Sequence, residues 1–252
     1  MGRSAIVCGA VGGLGRPTVA RLAAEGFAVI ALDRADAACR DGVEGSVCRV
    51  VGDVNDDDVV QTAVDAASAI GELRVLVNVA GGAAAGATTV DGAGAPHDRG
   101  TFERTLRANV VGAFNASRLV AAAMASTSPD RDGQRGVIVH TASIAGLEGQ
   151  RGQVAYAAAK AAILGMTLPM ARDLAPLGIR VCTVAPGPMG TQAMLRLRDR
   201  LVEDPAAGVV HPARMGRPEE FADLVAAIVA NPYLNGEHVR LDGALRLGAG
   251  AG

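Results

Sequence analysis

Tryptophan is absent from this 252-residue chain, which holds only two tyrosines and four phenylalanines. A core built almost without rings must be made of Ala, Val, Leu and Ile, a composition that suits buried parallel strands covered by helices. Blocks of Lys or Arg are missing and the formal net charge is −2, which argues against a nucleic-acid surface. The four cysteines, Cys8, Cys39, Cys48 and Cys182, form no CxxC pair. Three lie in apolar or strand-like surroundings, and they read as small buried hydrophobes in a reducing compartment. His97, His140, His211 and His238 are scattered, so no metal-ligand cluster is expected. No signal peptide precedes the first strand, no apolar run approaches membrane-spanning length, and the start lacks a myristoylation pattern. The expectation is a cytoplasmic protein with neither a membrane nor a nucleic-acid partner.

Half the residues are hydrophobic and a fifth are charged, enough for a sizeable core. Ser4–Cys8 is a short apolar run, followed by a loop holding Gly9, Gly12, Gly13 and Gly15 and then a helical pattern that stops at Gly26. Pro17 falls in the first turn of that helix, where it is tolerated. A second strand ends at Asp33, and a third runs about Val47 to Gly52 and closes on Asp53-Val54. Asn55 is the expected cap of the next helix, whose first turn carries Asp56, Asp57 and Asp58. Leu73 to Val79 is a fourth strand, ending in Asn78-Val79-Ala80-Gly81. The Gly- and Ala-rich stretch 82–100 reads as a mobile loop. Phe102 to Met124 is helical, and of its two poorly suited residues, Asn109 and Asn115, one is expected to serve function.

A fifth strand, Gly136 to Ala142, precedes Ser143. The helix carrying Tyr156 runs to about Leu174 and should kink at Pro169. A sixth strand spans Ile179 to Ala185 and leads into Pro186-Gly187-Pro188. Residues 189–218 are irregular and resemble a lid. A helix over Glu219–Ala230 and a strand over His238–Asp242 follow. Strands and helices alternate without a repeat or a break in composition. The pattern predicts one α/β domain over 1–252: a Rossmann fold with a doubly wound, seven-stranded parallel sheet and helices on both faces.

Two places carry chemistry. The first is the strand–glycine loop–helix unit, whose glycines allow close backbone approach and whose helix N-terminus attracts a pyrophosphate. A carboxylate at Asp33 suits the ribose hydroxyls of NAD and repels the 2′-phosphate of NADP, although Arg34 beside it could accommodate that phosphate. The second is the Ser143–Lys160 stretch. Tyr156 and Lys160, four apart on a helix, share a face, and a cation beside the phenol is expected to lower its pKa. Ser143 sits at a strand's carboxyl end, where open parallel sheets place their sites. Singly, these residues read more often as a surface pair and a turn serine. A serine hydrolase is disfavoured because Ser143 lacks the glycine-flanked elbow.

Together, the glycine motif (Gly9, Gly13, Gly15), Asn78-Val79-Ala80-Gly81, the set Asn109, Ser143, Tyr156 and Lys160, and Pro186-Gly187 resemble the short-chain dehydrogenase/reductase family over essentially the whole chain. Cys8 stands where that family usually has Thr. The resemblance implies hydride transfer with Tyr156 as general acid–base and Ser143 as hydrogen-bond donor to the reacting oxygen. It also implies that Lys160 holds the nicotinamide ribose and that Asn109 positions a relay water. Gly9, Gly12, Gly13, Leu14, Gly15, Asp33, Asp53, Val54, the 78–81 segment, Tyr156, Lys160, Pro186, Gly187, Met189 and Thr191 would bind the cofactor. Substrate would meet Ser143, Gln150, Gln153 and Tyr156.

The stretches 148–153, 165–176 and 231–243 further resemble the family's NAD-dependent, homotetrameric enzymes of 3-hydroxyacyl-CoA thioesters. Arg196, Arg198, Arg200, Arg214 and Arg217 would supply cations for the CoA phosphates, or Arg196, Arg198 and Arg200 would simply form the solvated face of a lid helix. A 3-oxoacyl-carrier-protein reductase and a hydroxysteroid dehydrogenase are the alternatives within the family. A nucleotide sensor without catalysis is disfavoured, since it could dispense with Tyr156 and Lys160.

Overall fold

A computed structural model describes residues 2–34, 47–82, 86–198 and 204–248, without the side chains of 197 and 198. Cys39 and Arg200 lie outside the described residues. Seven strands form one sheet in the order β3-β2-β1-β4-β5-β6-β7. They are β1 (Arg3–Cys8), β2 (Phe27–Asp33), β3 (Val47–Val51), β4 (Glu72–Asn78), β5 (Gly136–Thr141), β6 (Ile179–Pro186) and β7 (His238–Leu241). Every neighbouring pair is parallel. The helices are α1 (Gly15–Ala24), α2 (Asp57–Ile70), α3 (Arg99–Leu106), α4 (Gly112–Ala125), α5 (Val154–Leu174), α6 (Gln192–Arg198) and α7 (Pro218–Ala230). The expected doubly wound architecture is present.

Side-chain alternation along the strands builds two aliphatic layers. In β1, Ile6 and Cys8 face α2 and α4, whereas Ala5 and Val7 face α1 and α7. Chain order runs outward from β1 to β3 and then returns to place β4 on the other side of β1. That reversal opens a crevice at the carboxyl ends of β1 and β4, the position such sheets use for ligands.

Several local expectations need correction. Asp56, not Asn55, caps α2: its extended backbone lets its carboxylate accept from Asp58 N–H at 3.0 Å. Asn55 is drawn back instead to Asp53, to which its side chain donates at 2.8 Å. The helix expected from Phe102 starts at Arg99, because Asp98 accepts from Thr101 N–H at 2.7 Å. The described part of the preceding loop is pinned by a Val90–Pro96 bridge and by Ala87 N–H donating to Gly152 carbonyl at 2.8 Å.

Pro169 lies inside α5 without interrupting it. It leaves the Gly165 carbonyl without its helical donor, on a face exposed to water. Cys48 is exposed, because β3 is an edge strand, whereas Cys8 and Cys182 are buried. Contrary to the sequence expectation, Val154–Leu177 is long and apolar enough to cross a membrane, with mean hydropathy 1.4. Here it is a layer helix: Ala159, Ile163, Thr167 and Ala171 are buried on the side facing the sheet.

Candidate active site

The crevice between β1 and β4 opens into a cavity of about 770 Å³ whose floor is the glycine loop. Gly9 adopts φ +82°, a left-handed conformation that glycine takes at little cost. A Cβ on Gly15 would sit 2.0 Å from the Gly9 carbonyl oxygen, so the first turn of α1 can close on the loop only without one. Gly9, Gly12, Gly13 and Leu14 line the cavity, and Gly15 buttresses them from behind. Asp33 lines the far wall and accepts from Val11 N–H at 3.1 Å, which ties the end of β2 to the loop. Asp53 and Val54 complete that wall. The Asp53 carboxyl is held below its usual range chiefly by the Asn55 backbone N–H, with help from the Asn55 side chain and from Arg34 and Arg107.

The opposite wall comes from β4 and α3. Val79, Ala80 and Gly81 line the cavity, and so do Thr101, Arg104, Thr105 and Ala108. These four recur at helical spacing on one face, a polar stripe the sequence reading passed over. Between α3 and α4 the helix widens into a π turn over Arg107–Val111. Such turns occur often at functional sites. Asn109 sits in it, 1% exposed. Its side chain donates to Gly82 carbonyl at 3.0 Å and accepts from Gly82 N–H at 3.1 Å, a reciprocal pair that docks the strand end onto the helix. Its amide also donates to Thr105 carbonyl at 3.0 Å, so its hydrogen-bonding groups are spoken for. Asn115 serves the other wall by donating to Val54 carbonyl at 3.0 Å. Both midhelix asparagines therefore hold the cavity's walls.

The candidate reaction end is built by β5 and α5, and its Ser143, Tyr156 and Lys160 do not line the glycine-loop cavity. Ser143 follows β5 and accepts from Ala145 N–H at 3.2 Å. Lys160 is 4% exposed and donates to Thr141 carbonyl at 3.1 Å, with its ammonium 5.6 Å from the Tyr156 ring centre. Burial lowers the Lys160 pKa to about 8. The Tyr156 phenol is raised by burial, partly offset by its hydrogen bond with Ser143. The expected lowering by Lys160 is thus not what the protein alone produces: desolvation sets the direction, and the lysine's own charge is costly there. His140, buried one residue earlier on β5, is lowered to about 4 by burial and then by Lys160.

Asn78, expected at the cofactor, is absent from the cavity wall. Its amide reaches Ala113 carbonyl, Ser117 Oγ and His140 Nδ1 at 3.1–3.3 Å, fastening β4 to α4 and β5. Met189 also turns inward: it is buried beside Gly216. Thr191 lines the cavity and packs on Gly13. Pro186 ends β6, and Gly187 after it donates its N–H to Leu241 carbonyl at 2.9 Å rather than reaching the cavity. Gln153 donates to Gln150 at 3.3 Å at the start of α5.

A family model for the short chain dehydrogenases matches residues 3–201. The chain belongs to that family. It is 45% identical to human 3-hydroxyacyl-CoA dehydrogenase type-2 over 250 residues, 98% of this chain and 96% of that protein. The Drosophila melanogaster protein of the same name is 43% identical over 246 residues, 96% of each chain. The crystal structure of 3-hydroxyacyl-CoA dehydrogenase type-2 from Mycobacterium avium has TM-score 0.94 and 44% identity, covering 99% of this chain and 98% of that one. As a short-chain dehydrogenase the protein is an oxidoreductase of the kind that uses a nicotinamide cofactor, and the glycine cradle and its cavity fit one.

Proposed function

We propose that this short-chain dehydrogenase interconverts (S)-3-hydroxyacyl-CoA and 3-oxoacyl-CoA thioesters of short or branched chain, using NAD. The observation that carries the substrate class is identity of 42–45% over nearly full length to proteins named for that activity. Asp33 supports NAD, since its carboxylate lines the cavity where a ribose 2′-phosphate would meet it.

The glycine loop, Asp33 and the Asp53-Val54 wall would hold the adenosine and pyrophosphate, and Thr191 and Lys160 the nicotinamide end. When bound, the nicotinamide ring would supply the hydride acceptor or donor. Tyr156, its phenol raised by burial, holds its proton at neutral pH and can deliver it to a ketone oxygen as hydride arrives. In the reverse direction it takes the alcohol proton. Ser143 donates to the same oxygen as charge develops on it. Because the side chain of Asn109 is already occupied, any relay water it positions would rest on the carbonyl that the π turn leaves without an α-helical partner.

Arg214 and Arg217, expected at the CoA phosphates, are engaged elsewhere: Arg214 donates to both Glu220 oxygens at 2.6 and 2.9 Å, and Arg217 to one of them at 3.1 Å. Arg196 is exposed on α6, the described helix of the lid-like segment 189–218, and is the cation we assign to the CoA handle. For a homotetramer, the support is exposed apolar side chains on the π turn, α4 and α5, with Val111, Phe114 and Leu168 each 44–48% exposed. Unpaired Cys8 and Cys182 are consistent with a reducing cytoplasm. NADH oxidation with acetoacetyl-CoA, a 17-ketosteroid and an acetoacetyl carrier-protein thioester tests the substrate. The CoA thioester should lead in kcat/KM. A tenfold lead by either rival, about 1.4 kcal/mol, would overturn the assignment.

A further inference from the structure

The turn after β7 makes bonds that hydride transfer does not call for. Asp242 accepts from Ala244 N–H at 3.1 Å and shapes a turn in which Gly243 and Ala244 have φ +59° and +64°. Ala244 is the one non-glycine residue with positive φ among the described residues. A left-handed alanine is disfavoured by roughly 1–2 kcal/mol, so neighbouring contacts must hold the turn.

Those contacts reach two other segments. Toward the serine loop, Arg240 Nη1 donates to Glu148 Oε1 at 2.7 Å, and Leu247 N–H donates to Glu148 Oε2 at 2.9 Å. Arg246 adds a cation 3.5 Å from the same carboxylate. Arg240 Nε donates to Asp242 at 2.7 Å and its Nη2 to Leu245 carbonyl at 2.8 Å, so one guanidinium spans the turn and the loop. Toward the lid, Gly243 carbonyl accepts from Val210 N–H at 3.0 Å and His211 N–H at 3.2 Å. Leu245 fills the space between them, packed with Ile144, the residue after Ser143, and with Val209.

We propose that Arg240, Glu148 and Leu245 are positioning residues. They fasten the loop carrying Ser143, Gln150 and Gln153 to the base of the lid segment through the 242–247 turn, so that the two shift together. Ser143 then keeps its place relative to Tyr156 only while the turn is seated. The glutamate is five residues from the serine and does not line the glycine-loop cavity. It acts through the backbone it anchors. The inference rests on Ser143 working at the reacting oxygen, and loss of activity in Ser143→Ala tests that reading separately.

The experiment compares Glu148→Ala, Glu148→Gln and Leu245→Ala with the unaltered enzyme, using acetoacetyl-CoA and NADH. Glu148→Ala should lower kcat about ten- to a hundredfold through misplacement of the serine. Its affinity for NADH, read by fluorescence titration, should stay within about twofold, the additivity expected for separated sites. The deuterium isotope effect with 4-deuterated NADH should rise as the hydride step slows. Hydrogen exchange should quicken in both 143–153 and 206–211. Glu148→Gln, which keeps an acceptor for Arg240, should fall between. Leu245→Ala, which leaves the ion pairs intact and covers the case of a poorly folded Glu148 variant, should quicken the same two segments. Faster exchange confined to 242–247 with kcat unchanged would overturn the proposal, as would NADH affinity falling in step with kcat.

Discussion

The two ends of the site are built on opposite electrostatic terms. At the nucleotide end, Asp33, Arg34, Asp53, Arg104 and Arg107 line an open cavity, charges of both signs within reach of water. At the reaction end, Lys160 and His140 are buried, and burial is the chief cause that lowers both. Charges in water interact weakly and can be exchanged cheaply, whereas burial moves a proton affinity by several powers of ten. The first end can therefore choose among ligands by one side chain at modest cost. At the second, burial itself sets the proton affinities, and a change there is expected to be felt as lost chemistry or lost stability.

The largest expected effect is at the buried end. Tyr156→Phe should reduce turnover by about 10²–10⁴-fold, the usual share of a general acid–base group, while NADH binding by fluorescence titration stays nearly intact. A loss under about tenfold would remove Tyr156 from its role and erase the contrast between the two ends.

Next is His140. Its folded pKa of about 4 lies below the ordinary 6.5, so the unfolded chain takes up a proton that the folded one refuses. Its contribution to stability is complete above pH 6.5 and is lost as pH falls toward about 4. The shift corresponds to about 3 kcal/mol. His140→Asn keeps an acceptor for the Asn78 amide but does not titrate. Its Tm should fall less than that of the unaltered protein between those two pH values, and parallel curves would refute the burial account.

Lys160 offers a direct measurement, because it is the only lysine in the chain. With 13Cε-labelled lysine a single side-chain signal is expected, titrating at about 8. A midpoint near the ordinary 10.5 would mean that water reaches the ammonium.

The smallest effect belongs to the open end. Asp33→Ala should shift the kcat/KM ratio of NAD(H) to NADP(H) by about tenfold toward the phosphorylated cofactor, since Arg34 already lines the cavity. Equal use of both cofactors by the unaltered protein would show that Arg34 outweighs the acid.

Much of the fold was legible because it rests on period and punctuation. Strand runs such as Val137–Thr141 and the glycine loop announce themselves locally. Ser143, Tyr156 and Lys160 were legible through spacing, and a count of lysines would have sharpened the case. What stayed hidden depends on partners distant in sequence. Nothing near Asn78 shows that its amide serves Ser117 and His140. Nothing near Arg214 shows that Glu220 absorbs its charge. The direction of the Tyr156 shift was misjudged because a helical neighbour was visible in the sequence whereas the desolvation of both groups was not. Asn55 and Asp56 were equally good caps by type, and only the pull of Asp53 on Asn55 decided between them.

The Glu148 anchor also bears on how the protein is made. Its partners Arg240 and Leu247 lie 92 and 99 residues downstream. On a ribosome, Ser143, Tyr156 and Lys160 all emerge well before anything exists to seat the loop between them. Contacts so far apart in sequence are slow to form, because the intervening chain must first be brought to order. All the residues that line the nucleotide cavity except Thr191 precede Gly112 and so leave the ribosome early. The two ends of the site are thus made in order, the residues that line the nucleotide cavity preceding the contacts that seat the serine loop.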